Sequence, residues 1–162
     1  MPDATTDSTV EPRSAAGPRV GVDVGGTFTD AALVDVGGTA EAASQLSDAV
    51  EAIFSYDFAR LDENEATARG EITPAFEAEF DRIFAEVRRH APEQQAVVSA
   101  TVTQSAVKEL TADHAVLVVF VDQVATRAAA APESQQLAAA GRLTVTGERI
   151  DGHWKIAAVT PL

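Results

Sequence analysis

The sequence predicts an α+β domain in which helices come first and an antiparallel sheet curls over them. Three observations carry this reading. Apolar residues recur at helical spacing from Glu41 to His90, the period falls to two after Pro92, and Asp151-Gly152 marks a tight hairpin near the end. The length of 162 residues suits one domain with a tail and is too short for two full domains.

Residues 1–19 read as a disordered tail, since Pro2, Pro12, Gly17 and Pro18 stand among small and acidic residues with little to bury. Residues 20–40 read as a Gly-rich, hairpin-like segment, with β-branched runs on either side of Gly25-Gly26 and a second copy of Asp-Val-Gly-Gly-Thr at Asp35 to Thr39. The folded domain is expected over 44–162. Its first helix starts at Glu41 with Ala43, Leu46, Val50, Ile53 and Phe54 on one face. A short second helix runs from Asp62 to Arg69, with Gly70 in the C-terminal glycine position. In the third, Thr73 is placed to cap, Pro74 suits the first turn, and Phe76, Phe80, Ile83, Phe84 and Val87 form the apolar stripe. Arg88, Arg89 and His90 fall where the helix dipole favours cations, and Pro92 is expected to stop the helix. Four strands follow, over Gln95–Lys108, His114–Thr126, Leu137–Arg149 and His153–Val159, with a loop at Ala128–Gln136.

Composition removes several functions. There is no cysteine, so disulfides and thiol chemistry are excluded. A formal charge of −13 argues against nucleic acid as a partner. The apolar fraction of 46% includes 32 alanines, and the 39 Leu, Ile, Val and Phe residues are the true core material, enough for one core. No apolar run reaches the ~18 residues that a spanning helix needs, and no cationic leader precedes an apolar stretch, so the chain reads as soluble.

From Ser47 onward the chain resembles the actinobacterial Mce-associated proteins. The resemblance rests on Ser55-Tyr56-Asp57-Phe58 with Leu61-Asp62, on Ile72-Thr73-Pro74-Ala75-Phe76 with Phe80, on Ala106-Val107, on the stretch from Thr111 to Val118, and on Asp151-Gly152-His153-Trp154-Lys155-Ile156. It covers residues 47–162. It implies the nuclear transport factor 2-like cone, with three helices packed in a curved antiparallel sheet of about four strands. It also implies a non-enzymatic helper to Mce-type lipid import at the cell envelope, membrane-anchored and extracytoplasmic, with Mce-complex or other envelope proteins as partners. Tyr56, Asp57, Phe76, Phe80, Asp151, Gly152 and Trp154 enter as structural motif residues. The open mouth of such a cone, lined by Val, Phe and Ala, offers room for an apolar ligand.

A second resemblance points elsewhere. Val20 to Asp30 is similar to the opening phosphate-binding hairpin of the hydantoinase/oxoprolinase family. That implies ATP and Mg²⁺ held by Asp23, Gly25, Gly26, Thr27, Thr29 and Asp30, through backbone N–H groups, hydroxyls and a carboxylate. Nothing after Thr39 supplies the second phosphate hairpin or the adenosine-binding lobe that such an ATPase requires, so the favoured expectation has no cofactor. Tyr56 and Asp57 offer acid–base residue types, but neighbours on a helix point about 100° apart. His90, His114 and His153 lack metal-ligand spacing, and the acids at Asp57, Asp62, Glu63 and Glu65 lack the glycine and alternation of a calcium loop. No catalytic or metal site is expected, and Trp154 is expected to close the core.

Overall fold

A computed structural model describes residues 19–20, 33–34 and 36–162. Contacts divide the chain after Val36. In the first unit, β1 (Arg19–Val20) pairs antiparallel with β2 (Leu33–Val34). Asp23, Gly25, Gly26, Thr27, Thr29 and Asp30, the phosphate-binding expectation, lie outside the described residues.

The unit from Gly37 to Leu162 is a helical layer held in a curled five-stranded sheet. Helix α1 (Val36–Phe54) buries Ala42, Leu46, Ala49, Val50 and Ile53, a stripe at i, i+4, i+7, i+8 and i+11. It starts five residues before Glu41 and takes in Gly37 and Gly38, so residues 36–40 of the expected hairpin segment are helical. Glycines are tolerated there because the first-turn N–H groups lack intrahelical partners in any case. The stripe is centred on small residues as well as large ones: Ala42 and Ala49 are fully buried, while Ala43 and Phe54 pack at its margin.

The chain then crosses the sheet edge as β3 (Tyr56–Asp57), a strand too short to show a period, and turns through a 3₁₀ segment at Phe58–Arg60. Asp57 Oδ1 caps that turn by accepting from the Ala59 N–H at 2.9 Å. Helix α2 (Leu61–Gly70) follows, with Gly70 inside the helix and Glu71 as its cap. Thr73 does not cap helix α3 (Glu77–Gln94), whose N-cap residue is Phe76. Its side chain is buried, and its backbone is engaged at both ends: the N–H donates to the Ile156 carbonyl at 2.9 Å and the carbonyl accepts from the Phe76 N–H at 3.0 Å. Nor does Pro92 stop α3. It sits within the last turn, and Gln95 ends the helix in the left-handed conformation at φ 49°, its N–H donating back to Ala91 and Pro92. Arg88, Arg89 and His90 are consequently one turn short of the dipole end.

The sheet runs in the order β3-β4-β5-β6-β7, with β4 (Ala96–Leu110), β5 (His114–Arg127), β6 (Gln136–Ile150) and β7 (His153–Pro161) forming the antiparallel meander. The four long strands match the expectation, and β3 adds a fifth at the edge. Alternation along β5 divides the faces: Ala115, Leu117, Val119 and Val121 point to the helices and are buried, while Phe120, Asp122 and Val124 point outward. Register shifts after Val102, Val107 and Thr146 mark bulges that bend the long strands, as a curled sheet requires. At the opposite edge, Ile72 bridges in parallel to Ile156, so the α2–α3 connection is stitched to β7.

Candidate functional site

The inner face of the sheet is the first place to look for a site in a cone of this kind. Phe80, Leu46, Leu117, Ile156, Val50, Val119 and Val145 are each under 2% exposed there, and Phe76, Phe84 and Trp154 join the same cluster. The described residues thus use the inner face for packing.

The motif residues are spread around this core. Tyr56, half-buried at the β3 edge opposite Val98, has its phenol pushed up from the ordinary value by burial, which keeps it protonated. Beside it, the Asp57 carboxylate is engaged by the Ala59 N–H and lies 3.5 Å from Arg60 Nε, while the Asp57 N–H donates to Asn64 Oδ1 at 2.9 Å. These contacts fix a chain reversal. Phe80 and Phe84 stack at 5.4 Å in the core, with Phe76 buried just before α3. Asp151 and Gly152 form the β6–β7 turn with positive φ at both positions, 52° and 85°. Trp154 is 3% exposed, and the Arg149 guanidinium lies 6.0 Å from its ring centroid.

The charged residues form surface networks. Glu65 on α2 receives both Arg69 and Arg88, whose hydrogen bonds hold its carboxyl below the usual value. Arg69 and Arg88 also cover the rings of Phe80 and Phe84 at 5.4 and 5.5 Å, and Arg88 reaches Asp62 at 2.7 Å. This network joins α2 to α3. Among the described residues no group of three His, Cys, Asp or Glu could hold a metal ion. His90 pairs with Glu86 at 3.3 Å, on a different element from His114 and His153.

Polar side chains of α1, and Ser55 just after it, make contacts that the sequence does not signal. Glu51 Oε1 accepts from the Val102 N–H at 2.7 Å, Ser55 Oγ from the Ala100 N–H at 2.9 Å, and Gln45 Oε1 from the Trp154 N–H at 2.8 Å. The first two satisfy the β4 edge beyond the end of β3, and the third meets β7. No periodicity reveals such contacts, because acceptor and donor lie between 45 and 109 residues apart.

Helices held in a curled antiparallel meander define the cone of the nuclear transport factor 2-like domains, in the form found in VirB8-type proteins. Two solved structures make the likeness concrete. CagV, a VirB8 homolog of the type IV secretion system of Helicobacter pylori, superposes with a TM-score of 0.62 at 15% identity, over 75% of this chain and 96% of that one. A periplasmic fragment of TraM gives 0.61 at 11% identity, over 75% and 95%. In sequence, the chain is 34% identical over 129 residues to the uncharacterized protein Rv1362c of Mycobacterium tuberculosis, 79% of this chain. It spans 57% of the length of that curated relative. No family model matches.

Proposed function

We propose that the chain is a non-enzymatic binding and scaffolding domain of the actinobacterial cell envelope, accessory to Mce-type lipid import and placed outside the cytoplasm. The observation that carries this reading is the packed inner face. Where an enzyme on this fold would converge an acid and a base in an apolar cavity, the described residues place Leu46, Val50, Phe80, Leu117 and Ile156 in one buried cluster, with ion pairs such as Arg69–Glu65 and Arg88–Asp62 at the surface. A domain of that design acts through its outside. The mycobacterial relative supports the source, and the secretion-system VirB8 homolog and the periplasmic TraM fragment, which share the fold, support an envelope setting. The Mce connection rests on the motif residues, among them Tyr56-Asp57, Phe76, Phe80 and Asp151-Gly152 with Trp154. Among the described residues no helix is long and apolar enough to cross a membrane.

The test is native purification of the tagged full chain from an actinobacterium that carries an Mce system, with subunits quantified by mass spectrometry against an untagged control. Enrichment of Mce-complex subunits is expected, and their absence contradicts the assignment. Calorimetry with ATP and Mg²⁺ covers the other resemblance. No saturable heat is expected for the full chain or its Gly26→Arg variant, and binding that the variant loses transfers the reading to a nucleotide-binding hairpin.

A further inference from the structure

We propose that the edge of β4 from Gln104 to Val107 is a docking strand, onto which an extended cationic segment of a partner protein adds antiparallel. β4 pairs with β5 from Ala96 to Leu110, but on its other side β3 covers only Val97 and Val98. Alternate residues of a strand turn their N–H and C=O groups to opposite neighbours. The N–H groups of Ala100 and Val102 point away from β5, where Ser55 and Glu51 accept them. Past the bulge at Thr103 the register resumes with Gln104 opposite Phe120, whose carbonyl lies on the β4 side and accepts from the Thr103 hydroxyl at 3.3 Å. Gln104 and Ala106 therefore face β5, and Ser105 and Val107 turn their N–H and C=O groups outward. Among the described residues these outward groups have no partner. A second bulge, at Lys108, closes the window.

The contrast along one edge carries the inference. Unpaired N–H and C=O groups at a sheet edge template another strand, so natural edges are blunted or covered. Here Glu51 and Ser55 seal two N–H groups and the next two are left open. The helical layer also falls short on this stretch. Val119 and Leu117 are fully buried, yet their cross-strand neighbours Ser105 and Val107 are exposed and half-buried, and Leu110 is half-buried too. An added strand with apolar residues on its helix-facing side covers that row. Charge selects the rest of the occupant. The two elements that meet at this edge, α1 and β4, carry Glu41, Asp48, Glu51 and Glu109 against one base, Lys108, which itself lies 3.5 Å from Glu109. With the chain at −13 overall, a basic segment is attracted and a second copy of this acidic chain is disfavoured. The fitting partner therefore alternates apolar and basic residues and binds by strand addition. This inference does not depend on the Mce assignment, since its test uses no Mce subunit.

The experiment titrates the full chain into a labelled peptide, acetyl-Val-Lys-Val-Lys-Val-Lys-Val-amide, by fluorescence anisotropy, with amide exchange followed by NMR. Saturable one-to-one binding with a Kd of about 100 μM or tighter is expected. N-methylation of the two central valines should weaken it about tenfold or more, because in antiparallel addition those N–H groups face β4. Methylation of the lysine amides, which face solvent, should leave binding unchanged. Glutamate in place of every lysine should weaken it about tenfold. Ser105→Pro removes one outward N–H and spares the ladder to β5, so binding should weaken about fivefold while far-UV dichroism and Trp154 emission stay unchanged. In the free chain the Ser105 and Val107 amides should exchange faster than that of Ala106, and the peptide should slow them. No binding up to about 1 mM, or binding indifferent to which amides are methylated, overturns the inference. Ser105 and Val107 amides already protected without peptide overturn it as well, since the chain itself or a second copy then holds the edge.

Discussion

Gly147 shows at the scale of one residue how closely α1 is seated. A Cβ placed there would lie 2.5 Å from Leu46 Cδ1 and 2.7 Å from Cδ2, and Leu46 is fully buried, so its methyls have nowhere to retreat. Gly147→Ala is expected to cost about 1–3 kcal/mol in urea unfolding, the range for an overpacked core. Combined with Leu46→Ala it should cost less than the sum of the two single changes, since the second substitution removes the clash. Additive costs would contradict this contact. Gly152 is glycine for a different reason. With φ at 85° and open space around it, Gly152→Ala should lose about 1 kcal/mol through the backbone alone, while Asp151→Gly, at φ 52°, should be close to neutral. The two glycines were not equally legible. Asp151-Gly152 announces a hairpin in the sequence, whereas Gly147 looks like any strand glycine until Leu46 is seen against it.

At the scale of elements, the edge of β4 and the α2–α3 pair carry predictions of their own. Because Glu51 accepts from the Val102 N–H, Glu51→Ala should destabilise the domain by about 1–2 kcal/mol and speed exchange of the Val102 amide. Glu51→Gln, which keeps a carbonyl acceptor, should restore most of the protection. Equal exchange in the two variants would show that the side chain does not cover the edge. For α2 and α3 the readout is pH. The Glu65 carboxyl is held below its ordinary value of 4.5 by Arg88 and Arg69. Its contribution to stability is therefore present above that value and is lost as pH falls through the lowered one. The stability gap between wild type and Glu65→Gln should narrow on acidification below about pH 4.5, and a gap independent of pH would contradict the pairing. The helices show where local signals mislead. Pro92 lacks an N–H and reads as a terminator, yet the helix runs on for two residues past it, and the left-handed Gln95 supplies the stop. Thr73 has the residue type of a cap, but the bridge from Ile72 to β7 draws it into the interior. The strands were legible to within about two residues because alternation persists over their whole length. β3 was not, since two residues have no period.

For the whole molecule, the sequence conveys the order of helices before meander and the capacity for a single core. It does not convey which side of the sheet is left open. Ala115 to Val121 is an unbroken apolar run, so Phe120 and Val119 look alike in sequence although one is exposed and the other fully buried. The expectation of an apolar ligand in the cone came from the fold that the resemblance implies, not from this run. In the structure, Ala115, Leu117, Val119 and Val121 of that run join the buried cluster that includes Leu46, Phe80 and Ile156, while Phe120 and, beyond the run, Val124 stay at the surface. On the proposed function, binding takes place on the outside of the cone. Trp154, the sole tryptophan and 3% exposed within the core, reports directly on this claim. Titration of the full chain with monomeric oleate should leave Trp154 emission unchanged. A saturable, one-to-one shift in that emission would mean that the interior opens to an acyl chain, and would contradict an account in which the core only supports the surface.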